Sequence, residues 1–197
     1  MKRILLLQCF FLAAIWVVTA QTQTTFNERY KATVKGDMIV VGNTVIGTTK
    51  TGDYNGGGDN NSNVQIYADI DNDPTTFNST SAEVKDPNPG GSCPRKVKKA
   101  FLYWASSSWG WNKSTTNLNR SKFNQVKFKV GNGNYNQIIG TQILSSEDAY
   151  IYVADVTDKL IGVAGTYTVA NIQAVTGRST GYAGGWTLFI VYEDLSK

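Results

Sequence analysis

Apolar residues along this chain recur in short runs of period two, broken by Gly, Asn and Asp, the signature of half-buried strands rather than of helices. The clearest case is Val126-Lys127-Phe128-Lys129-Val130. Successive side chains of a strand point to opposite faces, so the two lysines face water and the three apolar residues a core. Val64-Gln65-Ile66-Tyr67-Ala68-Asp69-Ile70 alternates in the same way and predicts Val64, Ile66, Ala68 and Ile70 inward, with Gln65, Tyr67 and Asp69 outward. Two runs, Ala100–Trp104 and Trp186–Tyr192, are apolar on both sides of the pleat, which predicts central strands covered on both faces. Tyr150–Asp155 and Thr166–Ile172 predict further strands. Between them, Val156–Val163 predicts a single short helix capped by Asp155 or Thr157.

Near the start, Ala32-Thr33-Val34 and Met38-Ile39-Val40-Val41 alternate with Lys35-Gly36-Asp37 and Gly42-Asn43. Tyr30–Ile46 therefore reads as a small meander or two strands with a hairpin. Gly47–Asn63 has almost nothing apolar and reads as a surface loop; its Gly56-Gly57-Gly58 leads into a strand, not into the helix N-terminus that a phosphate loop needs. Frequent short strands with Gly/Asn turns predict an all-β fold, an antiparallel two-sheet sandwich of jelly-roll type with at most one short helix.

Composition changes this picture at the N-terminus. Met1-Lys2-Arg3 precedes an apolar run to Val18 and the small residues Thr19-Ala20, which reads as a secretory signal peptide over 1–20. The run is shorter than the roughly 20 apolar residues of a spanning helix, and no later segment is long enough to span. Cys9 leaves with the leader and Cys93 remains, so 21–197, read as one β-sandwich domain truncated at its C-terminal end, has no internal disulfide. Losing Lys2 and Arg3 reduces the net charge from +4 to +2, too nearly balanced to drive binding to nucleic acid through bulk charge.

The chain has no histidine, which removes Ser-His-Asp and Cys-His catalysis and the usual zinc sites. Without a base, Cys93 reads as a half-buried residue at a strand entrance, or as the partner of a cysteine elsewhere, rather than as a nucleophile. Asp69, Asp71 and Asp73 form a D-x-D-x-D run, and alternate carboxylates on a curling segment can converge on calcium. Pro74 and Thr80 stand where an EF-hand has Gly and Glu, so further ligands would come from loops such as those of Asp53 or Asp59. The competing reading is a solvated strand end. Trp109 and Trp111 lie in a Ser/Gly/Asn-rich stretch, where aromatic faces stack on sugars or protein partners or cover the end of the sandwich; Trp104 belongs to the core run.

Four segments, Lys99–Ala105, Asn124–Phe128, Tyr167–Ile172 and Gly184–Leu188, together with Lys35–Met38, Asp69-Ile70-Asp71 and Ala154–Thr157, carry a resemblance. Over Phe26–Glu193 the chain resembles the N-terminal region of large Bacteroidetes surface proteins of the gliding-motility-associated, adhesin-like kind that leave by type IX secretion. The resemblance implies a secreted or outer-surface protein with a structural or adhesive role, and carries no catalytic residues. The expectation is a non-catalytic extracellular module that meets an extracellular protein or a glycan surface. A carbohydrate-binding module or carbohydrate-active enzyme is the rival, because fifteen acidic residues leave room for a carboxylate pair.

Overall fold

A computed structural model describes residues 27–51, 64–90, 93, 95–108, 118–177 and 182–196. Its strands are β1 (Gly36–Thr44), β2 (Ile46–Gly47), β3 (Ile66–Tyr67), β4 (Ser79–Val84), β5 (Lys96–Ser107), β6 (Gln125–Val130), β7 (Asn136–Ile139), β8 (Thr141–Ser145), β9 (Ala149–Asp155), β10 (Gly165–Ala170) and β11 (Gly184–Glu193). They form a five-stranded sheet, β1-β11-β5-β9-β8, a four-stranded sheet, β4-β10-β6-β7, and the small pair β2-β3. All named strand pairs are antiparallel. With β2-β3 and the added edge strand β8 set aside, successive strands alternate between the sheets except at the β6-β7 hairpin. That strand order is the jelly roll anticipated from the sequence.

The core is what the alternation demands. Leu102, Trp104, Trp186, Leu188 and Ile190 from the larger sheet meet Val126, Phe128, Tyr167 and Val169 from the smaller in one buried cluster. Buried polar atoms of the aromatic residues are satisfied across it: Trp186 Nε1 donates to Thr80 Oγ1 at 2.9 Å and Trp104 Nε1 to the Phe123 carbonyl at 2.8 Å. At Gly140, between β7 in one sheet and β8 in the other, a Cβ would lie 2.3 Å from the Trp104 ring, so only glycine lets the chain turn that corner against the indole.

Four expectations need correction. Tyr30–Ile46 is not a hairpin: β1 is one strand of nine residues, paired with β11 throughout. Gly42 sits inside it because a Cβ there would meet the Trp186 carbonyl oxygen at 2.2 Å; close backbone approach, not a turn, requires the glycine. Val64–Ile70 keeps Ala68 buried as expected but does not hold the parity elsewhere: Val64, Ile66 and Ile70 are exposed and Gln65 is buried. Gln65 exchanges two backbone hydrogen bonds of 2.8 Å with Gly177, and Tyr67 OH donates to the Ala174 carbonyl, which draw Gln65 and Tyr67 inward. The short helix shrinks to a 3₁₀ turn at Thr157–Lys159, with a second at Arg120–Lys122. Asp155 Oδ1 does accept from Thr157 N, but buried Val156, Leu160 and Val163 hold the following segment against the core and Gly162 interrupts it. Finally, β5 and β11 are interior strands of their sheet, yet only one face of each is fully buried; Phe101, Tyr103, Phe189 and Val191 on the other are half-buried.

Thr33–Lys197 forms one compact unit, and residues 27–32 carry no regular secondary structure. No helix among the described residues is long and apolar enough to cross a membrane. The segment read as a signal peptide lies outside the described residues.

Candidate functional site

The outer face of the four-stranded sheet carries a loop and a groove built from the same residues. Gln125, Lys127 and Lys129 alternate outward along β6, opposite the buried Val126 and Phe128. Register places Gln137 of β7 beside Lys127. Where β10 ends, Asn171 takes a left-handed backbone with φ 65°, which Asn tolerates better than most residues. Buried Asn78 then holds the chain beyond β10: its Nδ2 donates to the Ile172 carbonyl at 2.7 Å and its Oδ1 accepts from Ile172 N at 3.1 Å. One side chain thus stands in for a strand partner, keeping Ile172 buried and leaving Asn171 and Gln173 partly exposed on either side.

The acidic run lies beside this groove and shares Lys127 and Asn171 with it as bonding partners of Thr75. Ser79 Oγ donates toward both Asp69 Oδ1 and Asp71 Oδ1, at 3.1 and 2.9 Å, so it brings two of the three predicted residues together. Asp73 turns away and accepts from Thr75 N and Thr75 Oγ1. On Asp71 Oδ2 converge Tyr135 OH at 2.5 Å and Lys129 Nζ at 3.4 Å, the ammonium lying 4.5 Å from the centre of the Tyr135 ring. Burial pushes the Asp71 carboxyl up, but hydrogen bonds from Tyr135, Ser79, the Asp73 backbone and Lys129 outweigh it and hold the group at about 2. The same burial and the Asp71 charge push the Tyr135 phenol far up, so it stays a donor. A calcium ion at Asp71 would have to displace the Lys129 ammonium, and among the described residues no group of three acidic, Cys or His side chains is placed to hold a metal. Asp53 and Asp59 lie outside the described residues.

Having been closed on itself, the loop is pinned to the sheet. Lys127 Nζ donates to the Thr75 carbonyl at 2.9 Å and to Thr75 Oγ1 at 2.6 Å; Asn171 Nδ2 donates to the same carbonyl at 3.3 Å. Asn171 Oδ1 accepts from Phe77 N at 2.9 Å, which presents the Phe77 ring, 41% exposed, at the edge of the sheet. A groove of about 230 Å³ results, lined by Phe77, Lys122, Gln125, Val126, Lys127, Gln137, Asn171 and Gln173. An aromatic ring, four amides and two lysines line it, with no carboxylate, thiol or hydroxyl.

Sequence reasoning passed over Phe77, Asn171, Gln173 and Gln137. Two of these four, Asn171 and Gln173, flank a strand end, and the signal that finds them is the polar–apolar–polar triplet Asn171-Ile172-Gln173, which puts two amides on one face. Trp109 and Trp111 lie outside the described residues; Trp104 is core, 1% exposed, as read. Cys93 is half-buried and in no disulfide. Opposite to the groove in character, Asp194 has no exposed surface, accepts from Ser196, Asn88 and Arg95, and is held at about 2, first by the Ser196 hydroxyl. Arg95 also pairs with Asp86 at 2.9 Å, so this cluster ties the chain's last described turn to the start of β5 and has a structural task. No protein-family model matches the chain, and neither a curated protein nor a solved structure does.

Proposed function

We propose that this chain is a non-catalytic binding module of a secreted or cell-surface, adhesin-like protein, and that it meets its partner, a glycan surface, through the groove on the four-stranded sheet. The observation that carries this is the lining: an exposed ring fixed by Asn171, flanked by amides that donate and accept, and no acid–base pair within it. Amides match the paired donors and acceptors of sugar hydroxyls, and a ring face covers the apolar side of a sugar. The leader-like N-terminus and the resemblance to surface proteins support the extracellular setting.

A glycan array probed with the chain tests the reading, beside Phe77→Ala, Gln137→Ala and the pair Trp109→Ala and Trp111→Ala. Groove-dependent retention without release of product is the expected result. Retention lost only in the tryptophan variants would move the site to the 109–111 stretch, and turnover of any bound glycan would overturn the non-catalytic reading.

A further inference from the structure

The groove carries a charge that a neutral ligand does not need. Resting on the proposal that it binds a glycan, we infer that its ligand is an anionic glycan chain, one bearing uronate or sulfate groups, with Lys122 and Lys127 as the residues that select the charge. Lys122 closes the 3₁₀ turn Arg120–Lys122, is exposed, and has no carboxylate partner among the described residues. Lys127 spends two of its donors on the neutral oxygens of Thr75, so its ammonium is held in place without being neutralised and keeps one donor for a ligand. Asp73, the carboxylate whose field reaches Lys127, has its Oδ1 turned to Thr75. By contrast Lys129, two residues further along β6, faces the Asp71 carboxylate at 3.4 Å and is not among the groove's lining residues. Of the two lysines on the strand, only Lys127 both pins the loop and lines the groove.

Size points to a chain rather than a small molecule. At about 230 Å³ the groove is smaller than the roughly 300–1,000 Å³ clefts that enclose drug-sized ligands. Its exposed members, Phe77, Lys122 and Gln137, leave it open along the sheet. A few sugar units of a longer polymer fit that shape, with a ring face on Phe77, hydroxyls on Gln137 and Gln173, and the acidic substituent at Lys122. Gln173 Oε1 is already fixed by Asn119 N at 3.0 Å, which directs its Nε2 donors elsewhere.

The test measures binding of the whole chain to oligouronate, to a sulfated dextran and to a neutral dextran oligomer of matched length, by calorimetry at two salt concentrations. Lys122→Gln and Phe77→Ala are compared with Lys96→Gln, which removes the same charge from the other sheet. One of the two anionic ligands is expected to bind at least about tenfold more tightly than the neutral one, and Lys122→Gln to weaken it by about tenfold, the scale of one charge-assisted hydrogen bond. Lys96→Gln should leave it unchanged. Equal loss in Lys96→Gln would mean bulk attraction and overturn the inference. Groove-dependent binding of the neutral oligomer at equal affinity would overturn it too while leaving the groove as a glycan site; no groove-dependent binding of any of the three would remove both. Phe77→Ala removes an exposed ring, so a folded far-ultraviolet spectrum is expected, and Gln137→Ala repeats the test if that spectrum changes.

Discussion

The two sheets share a core and differ on their outer faces. On the five-stranded sheet that face is apolar over β1 and the middle of β11, with Lys99 and Asp155 paired beside it: Met38 and Val40 of β1 are exposed by 54% and 48%, opposite Val191 and Phe189, and Tyr103 meets the Phe189 ring edge-on at 5.3 Å. On the four-stranded sheet it is polar, carrying Gln125, Lys127, Lys129 and Gln137 and the acidic loop bonded to them. The inner faces had no such freedom, because two stacked sheets must bury the same kind of surface between them. What distinguishes the outer faces is therefore where the sequence has room to encode binding. On the four-stranded sheet a network through Asp71, Thr75 and Asn171 fixes those groups beside an open groove.

The largest expected effect breaks what the sheets share. Phe128→Ala, with no exposed side-chain surface, should cost about 3–5 kcal/mol in urea unfolding, since it removes a large ring and leaves a cavity at the inter-sheet centre. Next comes the joint between core and groove. Asn78→Ala strands the Ile172 N–H and carbonyl and should cost about 1–3 kcal/mol, while also weakening ligand binding because Asn171 and Gln173 lose their fixed positions. A core substitution of equal cost should leave affinity unchanged while the protein is folded, which separates the two by titration below the unfolding midpoint.

Smaller effects probe the acidic loop. Asp71 has a folded-state value of about 2 against about 3.9 unfolded. A depressed carboxyl contributes stability above the unfolded value that is lost as pH falls toward the folded one, so the unfolding midpoint should drop between about pH 4 and 2. Asp71→Asn should flatten that part of the profile, leaving the share due to the other lowered carboxyls, Asp194, Asp155 and Asp73. Because Lys129 already supplies the cation at Asp71, thermal unfolding should have the same midpoint with calcium as with chelator. A rise with calcium would mean that the loop opens to release Asp71 from Lys129. The smallest effect belongs to the other sheet: Val40→Thr on the exposed face should change stability by no more than about 0.5 kcal/mol and leave glycan binding as it was.

Much of the fold was legible because burial imposes parity. Val126 to Val130 shows it, entering the core as the alternation requires, whereas the runs around Leu102 and Leu188 are interior strands as read but bury one face fully and the other only in part. Where parity failed, at Val64 to Ile70, the strand is only two residues long, and two backbone bonds to Gly177 outvoted three exposed aliphatic residues. The groove was half legible. Asp69, Asp71 and Asp73 marked the loop, but their partners Lys129, Tyr135 and Ser79 are brought to it by folding; a lone run of carboxylates reads the same whether a metal or a lysine answers it. Asn171 and Gln173 were passed over for a plainer reason: the Asn171-Ile172-Gln173 triplet puts two amides on one face, but amides at a strand end look like any turn until Asn78 fixes Ile172 between them.

The most direct measurement is a two-dimensional nitrogen–proton spectrum of the labelled chain, titrated with the glycan that binds best. The account predicts shifts at the side-chain amides of Gln125, Gln137, Asn171 and Gln173 and the backbone of Phe77, with Met38, Val40, Tyr103 and Phe189 unmoved. Shifts confined to that second group would place the binding face on the five-stranded sheet and contradict it.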